Sequence, residues 1–570
     1  MASPSLLVQT SAGPVQGFVD THPLRNESSA ALKSGPEAPV YKWLGIPFAK
    51  AGRFERPTSP DAWTQSIECI EFGTKFPQSH GASEALYQAR LGNHRREFVG
   101  NSEASHTIDV YAPEGTKAGD ALPCLVWIYG GALNTGSTSR IIYDPSHWIR
   151  DQAKLGRKFV VAAVNYRVNA FGFLSSRDLQ EVDKDGLSGN YGVYDCVKGL
   201  EWVQENIGGF GGDKDNVTCF GESAGGWMVS TLLCSGRRLF QKAIMESGAA
   251  GTLSTRPVDT AFPSYAAILA AIGADKLPTA AERVEALKKA PMEQILAAHT
   301  ASQTFAGVGF SIEEGPNATW DRKVVDKLRD GQWDPWIERV ILGTNEDEGT
   351  MFTAGMKVST PHHHFSFRLA DFRLFPAPIQ KLNTPAAFDG YVANVLPGFK
   401  AQIDKKYLKG APHPEEVSLV EAPASRLLHD QIFSQPAYEQ AQAMASQPNA
   451  KSGRLCTVYF YRCRAEIDSV TRGPLKLGSM HTIELPFIFN TKPCWDEGSH
   501  EEASAAVFGE NWSRFAIDGK PVEAWQPFDP EKPSWFVFED GGKTKTESLE
   551  GFTDDFIDFN APIDLEVQNE

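Results

Sequence analysis

A serine hydroxyl, a histidine imidazole and a carboxylate suffice for acyl transfer when a fold brings them together. The stretch Asp215 to Met228, DNVTCFGESAGGWM, offers the serine: Gly221-Glu222-Ser223-Ala224-Gly225 fits G-x-S-x-G. Val217-Thr218-Cys219-Phe220 before it is short, apolar and partly β-branched, as a buried strand is. Met228, Val229, Leu232 and Leu233 after it recur at helical spacing. Strand, tight glycine turn and helix is the context of a nucleophile elbow, which would expose the Ser223 hydroxyl at the top of a sheet with a helix N-terminus behind it. Five residues also fit an ordinary serine in a glycine-rich turn, so the remaining groups decide.

On a sheet of this kind the order along the chain is nucleophile, acid, histidine. The acid belongs on a loop after a later core strand, and both Asp347 and Glu348 qualify after Val340-Ile341-Leu342-Gly343-Thr344. The histidine belongs on the loop after the next strand, and His481 qualifies after Thr457–Arg462 (TVYFYR). Donors for a tetrahedral oxyanion would be backbone N–H groups: Ala224 directly after the serine, and Gly131 and Ala132 in the turn after Cys124–Ile128 (CLVWI). One such donor is worth roughly 2.7–4 kcal/mol in the transition state. The run His362-His363-His364 reads as a polar loop, because adjacent side chains diverge and no paired carboxylate or cysteine spacing supports a metal. His106, in an expected strand, reads as structural. No metal and no organic cofactor is expected.

The positioning elements alternate. Val8–Thr10 and Val15–Gly17 read as a hairpin around Ser11–Pro14. Tyr41–Ala49, Thr107–Tyr111, Cys124–Ile128 and Phe159–Val164 read as strands. Val193, Val197, Leu200, Val203 and Ile207 share a helix face that Gly208 and Gly209 end. Ala243–Met245, Val340–Thr344, Thr457–Arg462 and Trp535–Phe538 continue the strands, with a helical stretch from Ala503. Strands alternating with helices imply an α/β fold with a mostly parallel central sheet and helices on both faces. The reading is one domain over 1–570, with helical insertions at 251–336 and 351–450 over the site. Phe305, Phe310, Trp227 and Trp495 are candidate pocket walls, though buried aromatics more often belong to the core.

The 570 residues carry a formal net charge of -16 and a pI near 5.4, which argues against nucleic acid or an anionic membrane as partner. No run reaches the ~18 apolar residues of a membrane span, and no signal peptide is read at the N-terminus. The expected partner is a small ester and the expected compartment the cytoplasm. The eight cysteines form no C-x-x-C pair and read as free core thiols.

Several motifs occur in a fixed order: WIYGGAL at 127–133, NYRVNAFGFLSS at 165–176, GNYGVYDCVKGLEWVQENIGGFGGDKDNVTCFGESAGG at 189–226, GTNEDEGTMF at 343–352 and SMHTIELPFIF at 479–489. With them the chain resembles the type-B carboxylesterase, cholinesterase and fungal-lipase family of α/β-hydrolases. The resemblance implies carboxylic-ester hydrolysis through an acyl-Ser223 intermediate, with Glu348 rather than Asp347 as the acid and His481 as the base. It also implies Glu222 as an acidic neighbour and Ser247 as a buried hydroxyl supporting the acid. The same site could serve a transesterase, a lactone-forming enzyme or a deacetylase; a non-catalytic adhesion role fits less well, because all three triad residues are kept. Two departures stand out. Ala132 and Leu133 replace the family's usual glycine and aromatic, which implies poor turnover of bulky tertiary-alcohol esters. Phe76-Pro77-Gln78 and Ser102-Glu103-Ala104-Ser105 lack the cysteines that secreted members commonly join.

Overall fold

The structure is a computed structural model that describes residues 6–21, 39–79, 100–253, 255–258, 264–302, 309–353, 385–396, 398–409, 418–472 and 476–558. Its centre is an 11-stranded sheet. In chain order the strands are β1 (Phe18–Asp20), β2 (Val40–Pro47), β3 (Thr107–Pro113), β4 (Leu122–Ile128), β5 (Val160–Val164), β6 (Gly212–Glu222), β7 (Lys242–Glu246), β8 (Arg339–Asn345), β9 (Thr457–Cys463), β10 (Ser534–Phe538) and β11 (Thr544–Ser548). Across the sheet they run β1-β2-β3-β5-β4-β6-β7-β8-β9-β10-β11. From β5 to β10 every pairing is parallel. The flanks are antiparallel, through β3–β5, β2–β3 and β1–β2 on one side and β10–β11 on the other. This is the α/β-hydrolase architecture.

The parallel strands read as unbroken apolar runs because both faces are covered. Every residue of β5 and β7 is buried. Helices α1 (Tyr191–Asn206), α2 (Ala224–Leu232), α3 (Met292–Ser302), α4 (Gln435–Ser446) and α5 (His500–Asp518) surround the sheet or lie in the insertions. In α1, Val193, Val197, Leu200 and Val203 are buried, and a 3-10 turn over Ile207–Phe210 follows. α5 starts three residues earlier than the apolar pattern implies, because Ser499 Oγ accepts from Glu502 N and caps it.

Three differences from the sequence reading have physical causes. β6 begins at Gly212 rather than Val217: Gly212 pairs with Leu122 of β4, a register shift separates that contact from the Cys124–Val217 pairing, and Lys214 and Asp215 between them are exposed. β11, with the sequence TKTES, carries no apolar pattern and is a strand only because it pairs with β10. Its lysine and glutamate suit an edge, where charge discourages further strand addition. Within the first insertion, Thr255–Pro257 and Phe310–Ile312 form a small parallel pair beside the helices. The N-terminal hairpin pairs Val8 with Val15 as its sequence implies.

The insertions carry their own apolar clusters. In 251–336, Ile268, Val284, Leu287 and Ile295 pack with Phe54 and Phe171. In 351–450, Phe388, Tyr391, Val392, Leu427, Leu428 and Phe433 pack together. Phe305 and His362-His363-His364 lie outside the described residues. Trp227, Phe310 and Trp495 are core rather than wall. Trp227 and Phe310 are fully buried and meet edge to face at 5.6 Å, and Trp495 stacks on Phe487 at 5.7 Å. Among the described residues no helix is long and apolar enough to cross a membrane.

Candidate active site

Ser223 sits between β6 and α2 with φ 58 and ψ -125. An L-residue held there stores of the order of 1–3 kcal/mol, and the surroundings hold it firmly. Ser223 N donates to Glu246 O at 2.8 Å, and Trp227 N donates to Ser223 O at 2.9 Å. The glycines make the turn sterically possible. A Cβ on Gly225 would lie 2.1 Å from Ile128 O, and one on Gly221 2.6 Å from the carbonyl carbon of Gly225.

The ends of β8 and β9 bring the acid and the histidine to this turn. His481 Nε2 lies 2.8 Å from Ser223 Oγ, and His481 Nδ1 lies 2.6 Å from Glu348 Oε2. Glu348 Oε1 accepts from Ser247 Oγ at 2.6 Å and from Asn345 N at 2.7 Å. A carboxylate accepts at Nδ1, so the ring proton belongs there and the Nε2 lone pair faces the serine. Burial alone would push Glu348 up; His481 and these donors outweigh it and hold the carboxyl below its ordinary value. Asp347 does not reach the histidine. It braces the histidine's loop instead, with Ser479 N donating to its Oδ2 at 2.9 Å and its own N donating to Ser479 O at 2.9 Å.

Three further buried carboxyls surround the charged pair. Glu222 Oε1 lies 3.2 Å from His481 Nε2. Burial first, then Glu484, Glu348 and Glu246, push Glu222 well above its ordinary value. Glu246 is likewise pushed well up by burial, although Trp512 Nε1 donates to its Oε1 at 2.6 Å. Glu484, pushed up to about 8 by burial and by Glu348, lies 3.0 Å from Ser247 Oγ and accepts from Asn345 Nδ2. Ser247 Oγ lies between the two carboxyls, within donating distance of Glu348 Oε1 and of Glu484 Oε1, and the shorter contact is to Glu348. His481 thus faces one carboxyl held below its ordinary value, Glu348, among three held above theirs.

Glu484 was absent from the site residues read in the sequence. Its signal was there: a single acid inside the apolar run IELPFIF, three residues after His481. Phe352 and Phe433 also join the site, with ring centroids 5.2 and 4.5 Å from His481. Phe433 comes from a π-helical stretch, His429–Ser434, that runs into α4. One extra residue per turn is invisible to a 3.6-residue pattern, and such bulges recur at functional sites.

The turn after β4 lies over the elbow. A Cβ on Gly130 would sit 2.9 Å from Ser223 Cβ. Gly131, Ala132 and Leu133 have φ of 116, 53 and 59. Among the described residues, the N–H groups of Gly131, Ala132 and Ala224 donate to no protein acceptor. Tyr129 and Tyr166 stack at 4.3 Å and anchor the turn to the NYR segment: each hydroxyl donates to the other residue's backbone carbonyl, at 2.6 and 2.7 Å. Behind it, Asp195 binds Arg167 at 2.8 Å and His106 at 2.9 Å, so His106 is structural.

The segments 75–78 and 101–105 are tied together by hydrogen bonds. Asn101 Nδ2 donates to Gln78 O at 3.0 Å, and Ser105 Oγ donates to Lys75 O at 3.1 Å. All eight cysteines are buried and free. Among the described residues, one cluster has the spacing of metal ligands: Asp468, His500 and Glu501 have donor atoms within 4.8 Å of one another. Arg472 Nη1, 2.8 Å from Asp468 Oδ1, already supplies a cation there.

The chain is similar to known proteins over half to nearly all of its length. Para-nitrobenzyl esterase of Bacillus subtilis (strain 168) is 28% identical over 547 residues, covering 91% of this chain and 95% of that protein. Lipase 4 of Diutina rugosa is 31% identical over 348 residues, 56% of this chain and 60% of the lipase. A solved structure of PNB esterase superposes with a TM-score of 0.69 at 25% identity, covering 97% of this chain and 100% of that one. The sequence model described as "Carboxylesterase family" matches residues 4–556. A parallel sheet, a strained serine elbow and a match spanning nearly the whole sequence lead to one conclusion: the chain belongs to the carboxylesterase family.

Proposed function

We propose that the chain hydrolyses small carboxylic esters through a covalent acyl-Ser223 intermediate, with Ser223, His481 and Glu348 as nucleophile, base and orienting acid. The observation that carries this reading is the bridging imidazole, with Nδ1 on Glu348 and Nε2 on Ser223. Ser223 Oγ attacks the ester carbonyl while its proton passes to His481 Nε2. The imidazolium formed is stabilised by the Glu348 carboxylate at its Nδ1. The N–H groups of Gly131, Ala132 and Ala224 receive the oxyanion. His481 then gives the proton to the leaving alcohol, and water repeats the sequence against the acyl-enzyme. The upward push on the Glu222 carboxyl suits this cycle, because a second carboxylate at Nε2 would compete for the proton that the leaving group needs.

The esterase and lipase relatives support an ester substrate, and the buried free thiols support a reducing compartment such as the cytoplasm. The test of the mechanism is Ser223→Ala, assayed with p-nitrophenyl esters of graded chain length. Loss of the triad serine is expected to lower kcat by roughly 10⁴–10⁶-fold. A variant with undiminished hydrolysis overturns the assignment.

A further inference from the structure

The turn from Gly131 to Asn134 is strained at two consecutive non-glycine residues, Ala132 and Leu133, both in the left-handed region. Each costs about 1–2 kcal/mol, so something must hold them. Asn134 grips both peptide groups that flank the Ala132 Cα. Its backbone N–H donates to Gly131 O at 2.9 Å, an oxygen that also accepts from Thr135 N at 3.1 Å. The peptide carrying the Ala132 N–H is thereby fixed, with that N–H directed opposite to Gly131 O. The side-chain amide Nδ2 of Asn134 donates to Ala132 O at 3.1 Å, fixing the next peptide.

That amide is itself held from the insertion. His299 Nε2, on α3, lies 3.0 Å from Asn134 Oδ1. Since Nδ2 is committed to Ala132 O, Oδ1 is the acceptor and His299 Nε2 carries the proton. Burial keeps the imidazole neutral by pushing its pKa down to about 4. The bond therefore has one polarity, and it stops the amide from rotating off Ala132 O. On the other side, Asn169 Nδ2 donates to Asn134 O at 3.3 Å, and Asn169 N donates to Leu133 O at 2.5 Å.

We infer that His299 is a positioning residue for the oxyanion turn: acting through Asn134, it aims the N–H group of Ala132, and so couples the helical insertion to transition-state stabilisation. The inference rests on the acyl-Ser223 reading. It gives the insertion a part in the chemistry as well as in shaping the pocket.

The test compares His299→Phe, which removes the donor, with His299→Gln, which restores an N–H of similar reach. His299→Phe is expected to lower kcat about 10–100-fold, part of the 10²–10³ that a lost oxyanion donor costs, with KM changed less than about threefold. Affinity for a trifluoromethyl ketone, which forms a tetrahedral adduct, should fall in step with kcat/KM. His299→Gln should recover most of both. Asn134→Leu should reproduce the kcat loss, and it decides the matter if His299→Phe does not fold. The inference is overturned if the folded His299→Phe or Asn134→Leu enzyme keeps kcat within twofold of wild type, if only KM rises, or if Gln and Phe behave alike. Ser223→Ala run alongside separates the two levels: an active Ser223→Ala enzyme sinks the mechanism itself, whereas an inactive one beside an unaffected His299→Phe enzyme sinks only the positioning role.

Discussion

Glu484→Gln should make the protein more stable, and increasingly so as pH rises. Burial and the nearby Glu348 charge raise the Glu484 carboxyl from 4.5 to about 8. Through Ser247, with legs of 2.6 and 3.0 Å, the two carboxyls are at most ~5.6 Å apart. At an effective dielectric of about 20 that repulsion is worth roughly 3 kcal/mol, and burial supplies the rest. Between pH 4.5 and 8 the folded protein holds a proton that the unfolded chain has released. Raising pH therefore favours unfolding, by ~1.4 kcal/mol per pH unit and roughly 5 kcal/mol across the window. Glutamine reproduces the neutral acid: its Nε2 can donate to Ser247 Oγ and its Oε1 can accept from Asn345 Nδ2. Urea unfolding of wild type and variant at pH 5, 6, 7, 8 and 9 measures the difference. The curves should lie within about 1 kcal/mol at pH 5 and diverge up to pH 8, with the variant ahead. Parallel curves, or a less stable variant at pH 8, would refute the neutral-acid account, and kcat at pH 7 should be nearly unchanged.

Ser247→Ala removes a donor to the ionised Glu348, an interaction worth about 1.5–3 kcal/mol. Glu348 is held below its ordinary value in the folded state, so its contribution is present above that value and lost as pH falls. Weakening it should bring acid unfolding, followed by circular dichroism, in at a pH about one to two units higher; an unmoved acid transition contradicts the assigned hydrogen bond. Ala132→Gly removes a methyl at the mouth of the oxyanion turn and relieves a φ of 53. Turnover of tert-butyl acetate should rise at least ~10-fold while p-nitrophenyl acetate changes less than ~3-fold, in line with a steric role for that methyl. Wild-type enzyme that cleaves tertiary-alcohol esters as fast as primary ones would remove the premise.

The strands that carry Ser223, Glu348 and His481 were legible because parallel strands buried on both faces are apolar throughout, and because turn glycines mark their ends. The choice between Asp347 and Glu348 was not legible from residue type. It depended on family motifs, and the geometry separates the two by which side chain reaches His481 and which braces Ser479. Glu484 stood out only as an acid among apolar neighbours, a pattern that also fits a buried structural carboxylate. Phe433 could not be found by periodicity, since a π turn changes the face on which a residue emerges. β11 was missed because its strand character lies in its pairing with β10 rather than in its residues.

His481 meets Ser223 across 258 residues of chain. Loop closure over such a distance forms late, after local helices and neighbouring strands. The hydrogen bond between them requires β6, β8 and β9 to be seated side by side, with the second insertion already looped out between β8 and β9. During refolding, helical signal should therefore return before esterase activity. An emerging chain cannot turn over substrate until the segment beyond β9 has been synthesised. Catalysis in this protein thus reports completion of long-range assembly, and the recovery of hydrolysis times the last stage of folding rather than the first.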